Sequence, residues 1–276
     1  MIRAPVVSGQ FYPDNKRDLE RMIQNCISHR FGPKVQTKKT DEKVFGVICP
    51  HAGYEYSGPT ACHSFNSVAF QNPELVIITG PNHFGVGQNV ATMSNASWQT
   101  PLGNVLVDSE LSEEISNVSK FIEIDNHSHS RDHSLEVQIP MLQYTFSKKF
   151  QIIPIILLSQ NLEVAIDVGN SISEIAKKKK TLIIGSSDFT HYEENSFANL
   201  QDKALIEPIL KMDVKEFYQV LHEKRVSACG YGAIASTMIA CKNLGATRGE
   251  LLSYTTSGDI SGDKDSVVGY GAIKFV

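Results

Sequence analysis

Val44-Phe45-Gly46-Val47-Ile48-Cys49, followed by Pro50-His51-Ala52-Gly53-Tyr54, is the stretch that decides the fold, because an apolar run there ends in a histidine loop. Two later runs have the same arrangement. They are Leu75–Gly80, followed by Pro81-Asn82-His83, and Thr181–Gly185, followed by Ser186-Ser187-Asp188-Phe189-Thr190-His191. Each run is rich in β-branched residues and predicts a buried strand. Ligands of open α/β sheets bind beyond the carboxyl ends of the strands. We therefore interpret the three loops as one site.

Amphipathic segments alternate with these strands. Helices are predicted from Lys16 to about Ser28, from about Leu135 to Phe146, and over Asn161–Ala176. Residues 32–43, rich in Lys and Thr, predict a surface connection. No break in composition divides the chain, so the pattern predicts one three-layer α/β domain over residues 1–276.

The composition excludes several classes of protein. Hydrophobic residues make up 41% and charged residues 20%, as in ordinary globular proteins, and the formal net charge is −4. That charge gives no footprint for nucleic acid or an anionic membrane surface. The sequence contains neither a run of 18 apolar residues nor a secretory signal pattern. Five cysteines without a short pairing motif indicate reduced thiols, and we predict a cytoplasmic protein.

His51, His83 and Cys229 are the first candidates for metal ligands. Imidazole suits iron, copper and zinc, and thiolate favours soft ions. Cys229 lies in a glycine-rich loop just before a predicted helix, where the helix dipole is expected to lower the pKa of the thiol.

Other polar residues accompany these three. Asp188 and His191 lie three residues apart after a strand and are candidates for a fourth ligand and an acid/base group. His133 and Glu136 are also three apart. They are candidates for a proton shuttle or a supporting carboxylate beside the ligand.

Seven short motifs carry a resemblance to a known family. They are Gly9-Gln10-Phe11-Tyr12-Pro13, Pro50-His51-Ala52-Gly53-Tyr54, Gly80-Pro81-Asn82-His83, Asp132-His133-Ser134-Leu135-Glu136, Ser187-Asp188-Phe189-Thr190-His191-Tyr192, Ala228-Cys229-Gly230-Tyr231-Gly232 and Ser266-Val267-Val268-Gly269-Tyr270. Together they resemble the Memo family, whose archaeal and bacterial members are also called AmmeMemoRadiSam system protein B. That family is similar to the class III extradiol (LigB-like) dioxygenases, which use non-haem Fe(II).

The resemblance implies a central mixed sheet with helices on both faces. It also implies a metal site formed by His51, His83 and Cys229, with Asp188, His191 and His133 lining it. Tyr54 and the Phe11-Tyr12 loop would be the aromatic walls for a ligand, with Glu136 as a further contact. Ring-cleaving relatives hold iron with two histidines and a carboxylate, and Cys229 stands here at the position that corresponds to the carboxylate.

Three hypotheses follow. The first is a redox or dioxygenase-like protein that binds Fe(II) or copper and acts on a small molecule or peptide in the metal pocket. His133 or His191 would be the general base, with a pKa near neutrality, and Asp188 would orient a histidine or complete the metal shell. The second is a binding module for an anionic ligand or a partner peptide at the same pocket, without catalysis. The third is a metal-free thiol enzyme with Cys229 as nucleophile. The sequence leaves open whether the chain is catalytic and whether it forms a homodimer.

Overall fold

The computed structural model describes residues 1–34 and 42–276. The connection predicted over residues 32–43 therefore lies partly outside the described residues. Twelve strands are present in the described ranges: β1 (Ile2–Arg3), β2 (Gly46–Cys49), β3 (Leu75–Pro81), β4 (Val90–Thr92), β5 (Ser97–Thr100), β6 (Gly103–Leu106), β7 (Glu123–Ile124), β8 (Gln151–Leu157), β9 (Thr181–Ser186), β10 (His191–Glu193), β11 (Gly249–Thr256) and β12 (Val267–Phe275).

The described ranges also contain nine α-helices and a short 3-10 helix at Asn126–His129. The α-helices are α1 (Lys16–Ser28), α2 (Tyr54–Val68), α3 (Ser109–Val118), α4 (Gln138–Thr145), α5 (Leu162–Ala176), α6 (Asn195–Leu210), α7 (Val214–Glu223), α8 (Tyr231–Asn243) and α9 (Ser257–Ser261). None of the helices in the described part of the chain is long and apolar enough to cross a lipid bilayer.

Nine strands form one mixed sheet. Its order is β10-β12-β2-β9-β3-β8-β4-β7, and β11 pairs with β12. The central strands β2, β9, β3 and β8 run parallel, whereas β12 is antiparallel to β2 and β4 is antiparallel to β8. The predicted α/β class and central mixed sheet are confirmed.

Helices cover both faces of this sheet because its central strands are apolar on both sides. Side chains of a strand point alternately to opposite faces. In β2, Ile48 packs into the core beneath α5 and α8, whereas Val47 and Cys49 pack into the core beneath α1 and α2. The same alternation in β3 places Ile77 on the first side and Ile78 on the second. The result is the predicted helix–sheet–helix arrangement.

A second sheet of order β1-β5-β6 brings the first residues of the chain against the main body. In β1, the Arg3 guanidinium lies 3.9 Å from the centroid of the Trp98 ring. Its Nε donates to the His129 carbonyl (2.8 Å) and its Nη2 to the Asp132 carbonyl (2.6 Å). Arg3 thereby fixes the backbone of the segment that leads to His133.

Candidate metal centre

The three strand-end loops meet at one edge of the sheet. β9 lies between β2 and β3 and is parallel to both, so the residues after all three strands emerge side by side. Two further segments reach the same place. His133 comes from the connection between the 3-10 helix and α4, and Cys229 comes from the turn just before α8.

Three imidazoles form the centre of this site. One ring nitrogen each of His51, His83 and His133 lies within 4.8 Å of the others, a grouping that could hold a metal ion. The His83 and His133 rings stack with centroids 4.8 Å apart, and the His51 ring lies nearly perpendicular to both. His133, predicted as a general base, is therefore placed among the candidate ligands.

His51 is almost fully buried and is held on both ring nitrogens. Its Nδ1 lies 3.0 Å from Ser186 Oγ and its Nε2 lies 3.1 Å from Cys229 Sγ. Its backbone N–H donates to Asp188 Oδ1 at 2.8 Å. Burial, and then the nearby His133 and His83, lower the pKa of His51 well below its usual value. His51 is therefore a neutral imidazole, the form that binds metals.

His83 is oriented by a buried carboxylate. Asp132 Oδ2 accepts from both the backbone N–H (2.7 Å) and the ring Nδ1 (3.0 Å) of His83. Burial raises the pKa of Asp132, but the hydrogen bonds and charge of His83 lower it below its usual range. An ionised carboxylate on Nδ1 leaves Nε2 of His83 as the metal-binding nitrogen, the usual arrangement of a histidine ligand.

His133 is positioned by ring packing. The Phe11 ring lies 4.7 Å from it, centroid to centroid. Burial lowers the pKa of His133 to about 4, so the expected value near neutrality is not found. A neutral imidazole with that pKa is a weaker base than predicted and a competent ligand.

Cys229 contacts His51 but is not part of the three-imidazole cluster. Its Sγ accepts from the Asp188 backbone N–H at 3.3 Å. The expected lowering of its pKa by the helix dipole is outweighed, because burial and the Asp188 charge raise the pKa of the thiol. The next residue, Gly230, admits no side chain, since a Cβ there would lie 2.4 Å from the Ser186 carbonyl oxygen. This close approach brings Cys229 against β9.

Asp188 and His191 complete the polar lining. Burial raises the pKa of Asp188 to about 6, against the opposing effect of the backbone N–H groups of His51 and Ala52. The Nδ1 of His191 lies 2.7 Å from the Phe189 carbonyl and 2.9 Å from the Ser227 carbonyl. Carbonyls only accept, so Nδ1 carries a proton, and in the neutral ring Nε2 is then the acceptor.

A cavity of about 480 Å³ opens over these groups. Within the described ranges it contains no lysine or arginine, and it is lined by Phe11, His51, Ala52, Gly53, His83, His133, Asp188, His191, Tyr192, Ser227, Cys229 and Val268. A larger hollow of about 580 Å³ lies elsewhere, between β6 and the start of β8, and no histidine or cysteine lines it in the described residues.

Three residues predicted to contact a ligand lie behind the site. Tyr54 is buried and donates to the Val137 carbonyl at 2.6 Å, and Tyr12 is buried and donates to Glu136 at 2.7 Å. Neither they nor Glu136 are among the described residues that line the cavity. Of the predicted aromatic walls, Phe11 alone is part of that lining.

Glu136 belongs to a cluster that we call the Arg3–Glu136 clamp, consisting of Arg3, Val6, Val7, Tyr12 and Glu136. The Glu136 carboxylate receives Arg3 Nη1 (2.6 Å), the Tyr12 hydroxyl and the backbone N–H groups of Val6 and Val7. Both oxygens are occupied, so Glu136 holds the N-terminal segment in place and is not available to a ligand.

The donor set fits a first-row transition metal. Donor atoms that share one tetrahedral ion stand about 3.3–3.6 Å apart when metal–nitrogen bonds are about 2.0–2.1 Å and metal–sulfur bonds about 2.3 Å. The three imidazole nitrogens lie within 4.8 Å of one another, and His51 Nε2 lies 3.1 Å from Cys229 Sγ. Small side-chain movements would close an imidazole set around one ion.

Comparisons with known proteins match one family over nearly the whole chain. A family profile described as Memo-like protein matches residues 3–274. A MEMO1 family protein of Nitrosopumilus maritimus is 70% identical over 276 residues, all of both chains. One of Methanopyrus kandleri is 42% identical over 280 residues, 100% of this chain and 99% of that one.

A solved structure shares the fold. The crystal structure of an uncharacterized protein of Escherichia coli K12 superposes with a TM-score of 0.58 and 9% identity, over 85% of this chain and 100% of that one. At that identity the likeness concerns architecture and not chemistry.

Proposed function

The chain belongs to the Memo family, and we propose that it binds one Fe(II) or copper ion and acts as a redox or dioxygenase-like protein on a small molecule or peptide in the cavity. The observation that carries the proposal is the meeting of three imidazoles, His51, His83 and His133, at the floor of that cavity. Imidazole donors suit iron and copper as well as zinc. The side-chain carboxylate of Asp132 behind His83 is the kind of support that metal-binding histidines usually have.

Cys229 is the candidate for an additional ligand. Its sulfur lies 3.1 Å from His51 Nε2, so an ion held by His51 would be within reach of the thiol. A thiol that coordinates a metal ion is deprotonated. Because burial raises the pKa of Cys229, its ligation would release a proton and strengthen as the pH rises. The two ligand sets, with His133 or with Cys229 as the third member, share His51 and His83.

When bound, the ion would supply Lewis acidity and one-electron redox chemistry. The chain's own residues prepare the ligand. His191, with its proton fixed on Nδ1, offers Nε2 as the acceptor for a proton from a ligand hydroxyl. The Asp188 carboxylate accepts from the backbone N–H of His51 and so holds the loop that carries this histidine. Phe11 and Val268 give the cavity apolar walls.

Metal titration of anaerobically purified protein tests the proposal. Wild type should bind one equivalent of Fe(II) or Cu(I), and His51→Ala and His83→Ala should each abolish stoichiometric binding without unfolding the chain. His127→Ala is the matched control, because His127 lies in the same polar stretch as His133 but is exposed. Full occupancy in His51→Ala would refute the assignment.

Cobalt substitution separates the two ligand sets. A thiolate ligand gives an intense sulfur-to-cobalt charge-transfer band, so Cys229→Ser should remove that band if Cys229 binds the ion. His133→Ala should instead lower the stoichiometry if the third ligand is the imidazole. We expect both residues to contribute, with the larger loss for His133 because it belongs to the three-imidazole group.

A metal-free thiol enzyme is the second candidate, favoured by the same 3.1 Å contact between Cys229 Sγ and His51 Nε2. Selective alkylation of Cys229 at neutral pH, in protein shown by elemental analysis to lack metal, would support it. An anionic ligand bound without metal is disfavoured, because the described lining of the cavity carries no lysine or arginine.

We also propose a cytoplasmic location. All five cysteines are free, and four of them are buried. Reduced thiols are typical of a reducing compartment. Light scattering measures whether two copies associate.

A further inference from the structure

We propose that Ser186 and Gln138 are positioning residues that fix His51 in the tautomer with its proton on Nδ1, so that the Nε2 lone pair faces the cavity. The inference rests on the proposed metal site, since the tautomer decides which nitrogen can bind the ion. Ser186, Gln138 and His51 have relative exposures of 0%, 1% and 1%, so water does not determine their hydrogen bonds. The assignment follows from counting donors and acceptors.

The amide of Gln138 has one possible orientation. Its Nε2 lies 3.0 Å from the Pro50 carbonyl oxygen and 2.8 Å from Ser186 Oγ. The carbonyl only accepts, so the nitrogen and not Oε1 must face it. The remaining N–H of the amide then donates to Ser186 Oγ.

The serine hydroxyl has only one proton to give. Ser186 Oγ lies 2.7 Å from the Ser134 carbonyl oxygen, which can only accept, so the hydroxyl proton goes there. Toward His51 Nδ1, 3.0 Å away, Ser186 Oγ is therefore an acceptor. If the hydroxyl turned toward His51 instead, the Ser134 carbonyl would lose this donor in a buried position, which is costly.

The proton on Nδ1 leaves a lone pair on Nε2 of a neutral imidazole. That nitrogen is the one 3.1 Å from Cys229 Sγ. His83 reaches the same state through a carboxylate, whereas His51 reaches it through a hydroxyl and an amide. Outer partners of metal-binding histidines are typically worth a factor of about 10–100 in metal affinity.

The test combines nitrogen NMR of the metal-free, histidine-labelled protein with Fe(II) titration. Wild-type His51 should show a protonated Nδ1 and an unprotonated Nε2. Ser186→Ala should leave His51 as a mixture of tautomers and weaken Fe(II) binding about 10–100-fold. Gln138→Leu should give a smaller shift in the same direction, and Ser186→Thr, which keeps the hydroxyl, should restore both readouts.

Ser64→Ala is the matched control. Ser64 is also fully buried and also donates from its hydroxyl to a backbone carbonyl, that of Ile48, but it has no histidine partner in the described residues. Removing the Ser64 hydroxyl should lower the stability of the protein as Ser186→Ala does, but it should leave the metal affinity unchanged.

Two results would overturn the inference: a protonated Nε2 in wild-type His51, or equal Fe(II) affinity in Ser186→Ala and Ser64→Ala. If wild type bound no metal at all, the proposed function would fail. The NMR spectra of the metal-free chains would then still decide the tautomer, so the two failures are distinguishable.

Discussion

Two buried polar clusters, to which His133 and Glu136 belong, differ in whether their own chain satisfies their polar atoms. In the Arg3–Glu136 clamp, the carboxylate of Glu136 receives four donors from its own chain. In the histidine cluster, the ring nitrogens that face the cavity receive no such donors from the described side chains, apart from the thiol beside His51. A polar group that its own chain satisfies stabilises the fold, and one that keeps a lone pair toward a cavity is available to a ligand.

The largest expected effect is on the clamp. Glu136→Ala leaves the Arg3 guanidinium buried without its partner, so the free energy of unfolding should fall by about 3–5 kcal/mol. Urea denaturation measures it. Glu20→Ala, which removes an exposed pair with Lys16, should have no measurable effect. A loss in Glu136→Ala no larger than in Glu20→Ala would contradict a structural role for the clamp.

The next effect is a dependence on pH. Burial, and then the charge of Arg3, lower the pKa of His129 to about 3. The unfolded chain takes up a proton near pH 6.5 that the folded chain does not accept until about pH 3, so the free energy of unfolding falls as the pH falls through this range.

Between pH 8 and pH 4.5, the free energy of unfolding of His129→Gln should fall by about 2–3 kcal/mol less than that of wild type. Denaturation of the two chains at both pH values measures the difference. An equal fall in the free energy of unfolding in wild type and His129→Gln would show that His129 is not held neutral by the fold.

A smaller effect is expected on metal affinity when the carboxylate behind His83 is changed. Asp132→Asn removes the charge that orients His83, and metal affinity should fall about 10–100-fold, equivalent to about 1.4–2.7 kcal/mol. Competition with a chelator measures it. Asp125→Asn, in the same polar segment but bonded to Ser128 and His127, is the control and should bind metal as wild type does.

The smallest effect concerns backbone strain at the mouth of the cavity. Tyr192 is 77% exposed and has a φ of 61°, in the left-handed region that residues other than glycine, asparagine and aspartate rarely adopt. Tyr192→Asn should raise the free energy of unfolding by up to about 1 kcal/mol. A decrease measured by thermal denaturation would show that the tyrosine ring itself contributes more than the strain costs.

The central strands could be predicted because their chemistry is local. Leu75–Gly80 and Thr181–Gly185 are continuous apolar runs, as strands buried on both faces must be, and they correspond to β3 and β9. Segments without that signal were missed. β5 and β6 form a hairpin of short strands, and α9, with five residues, is too short to show a period.

The site was predicted in part for the same reason. His51, His83 and Asp188 follow strands whose order makes their ends neighbours. The roles of His133 and Glu136 were predicted from their three-residue spacing. The helix predicted to start near Leu135 starts instead at Gln138, so both residues precede it, and Glu136 turns toward Arg3. Asp132, Ser186 and Gln138 act through tertiary hydrogen bonds that no spacing in the sequence reveals.

The order of the sheet also bears on when the histidine cluster can first form. His51 and His83 follow strands that are not neighbours, because β9, which is synthesised much later, is inserted between them. A nascent chain that ends after β3 lacks this separator, and Cys229 is later still. Domains generally fold as units. The histidine cluster is therefore assembled late in biosynthesis, after most of the polypeptide has been made.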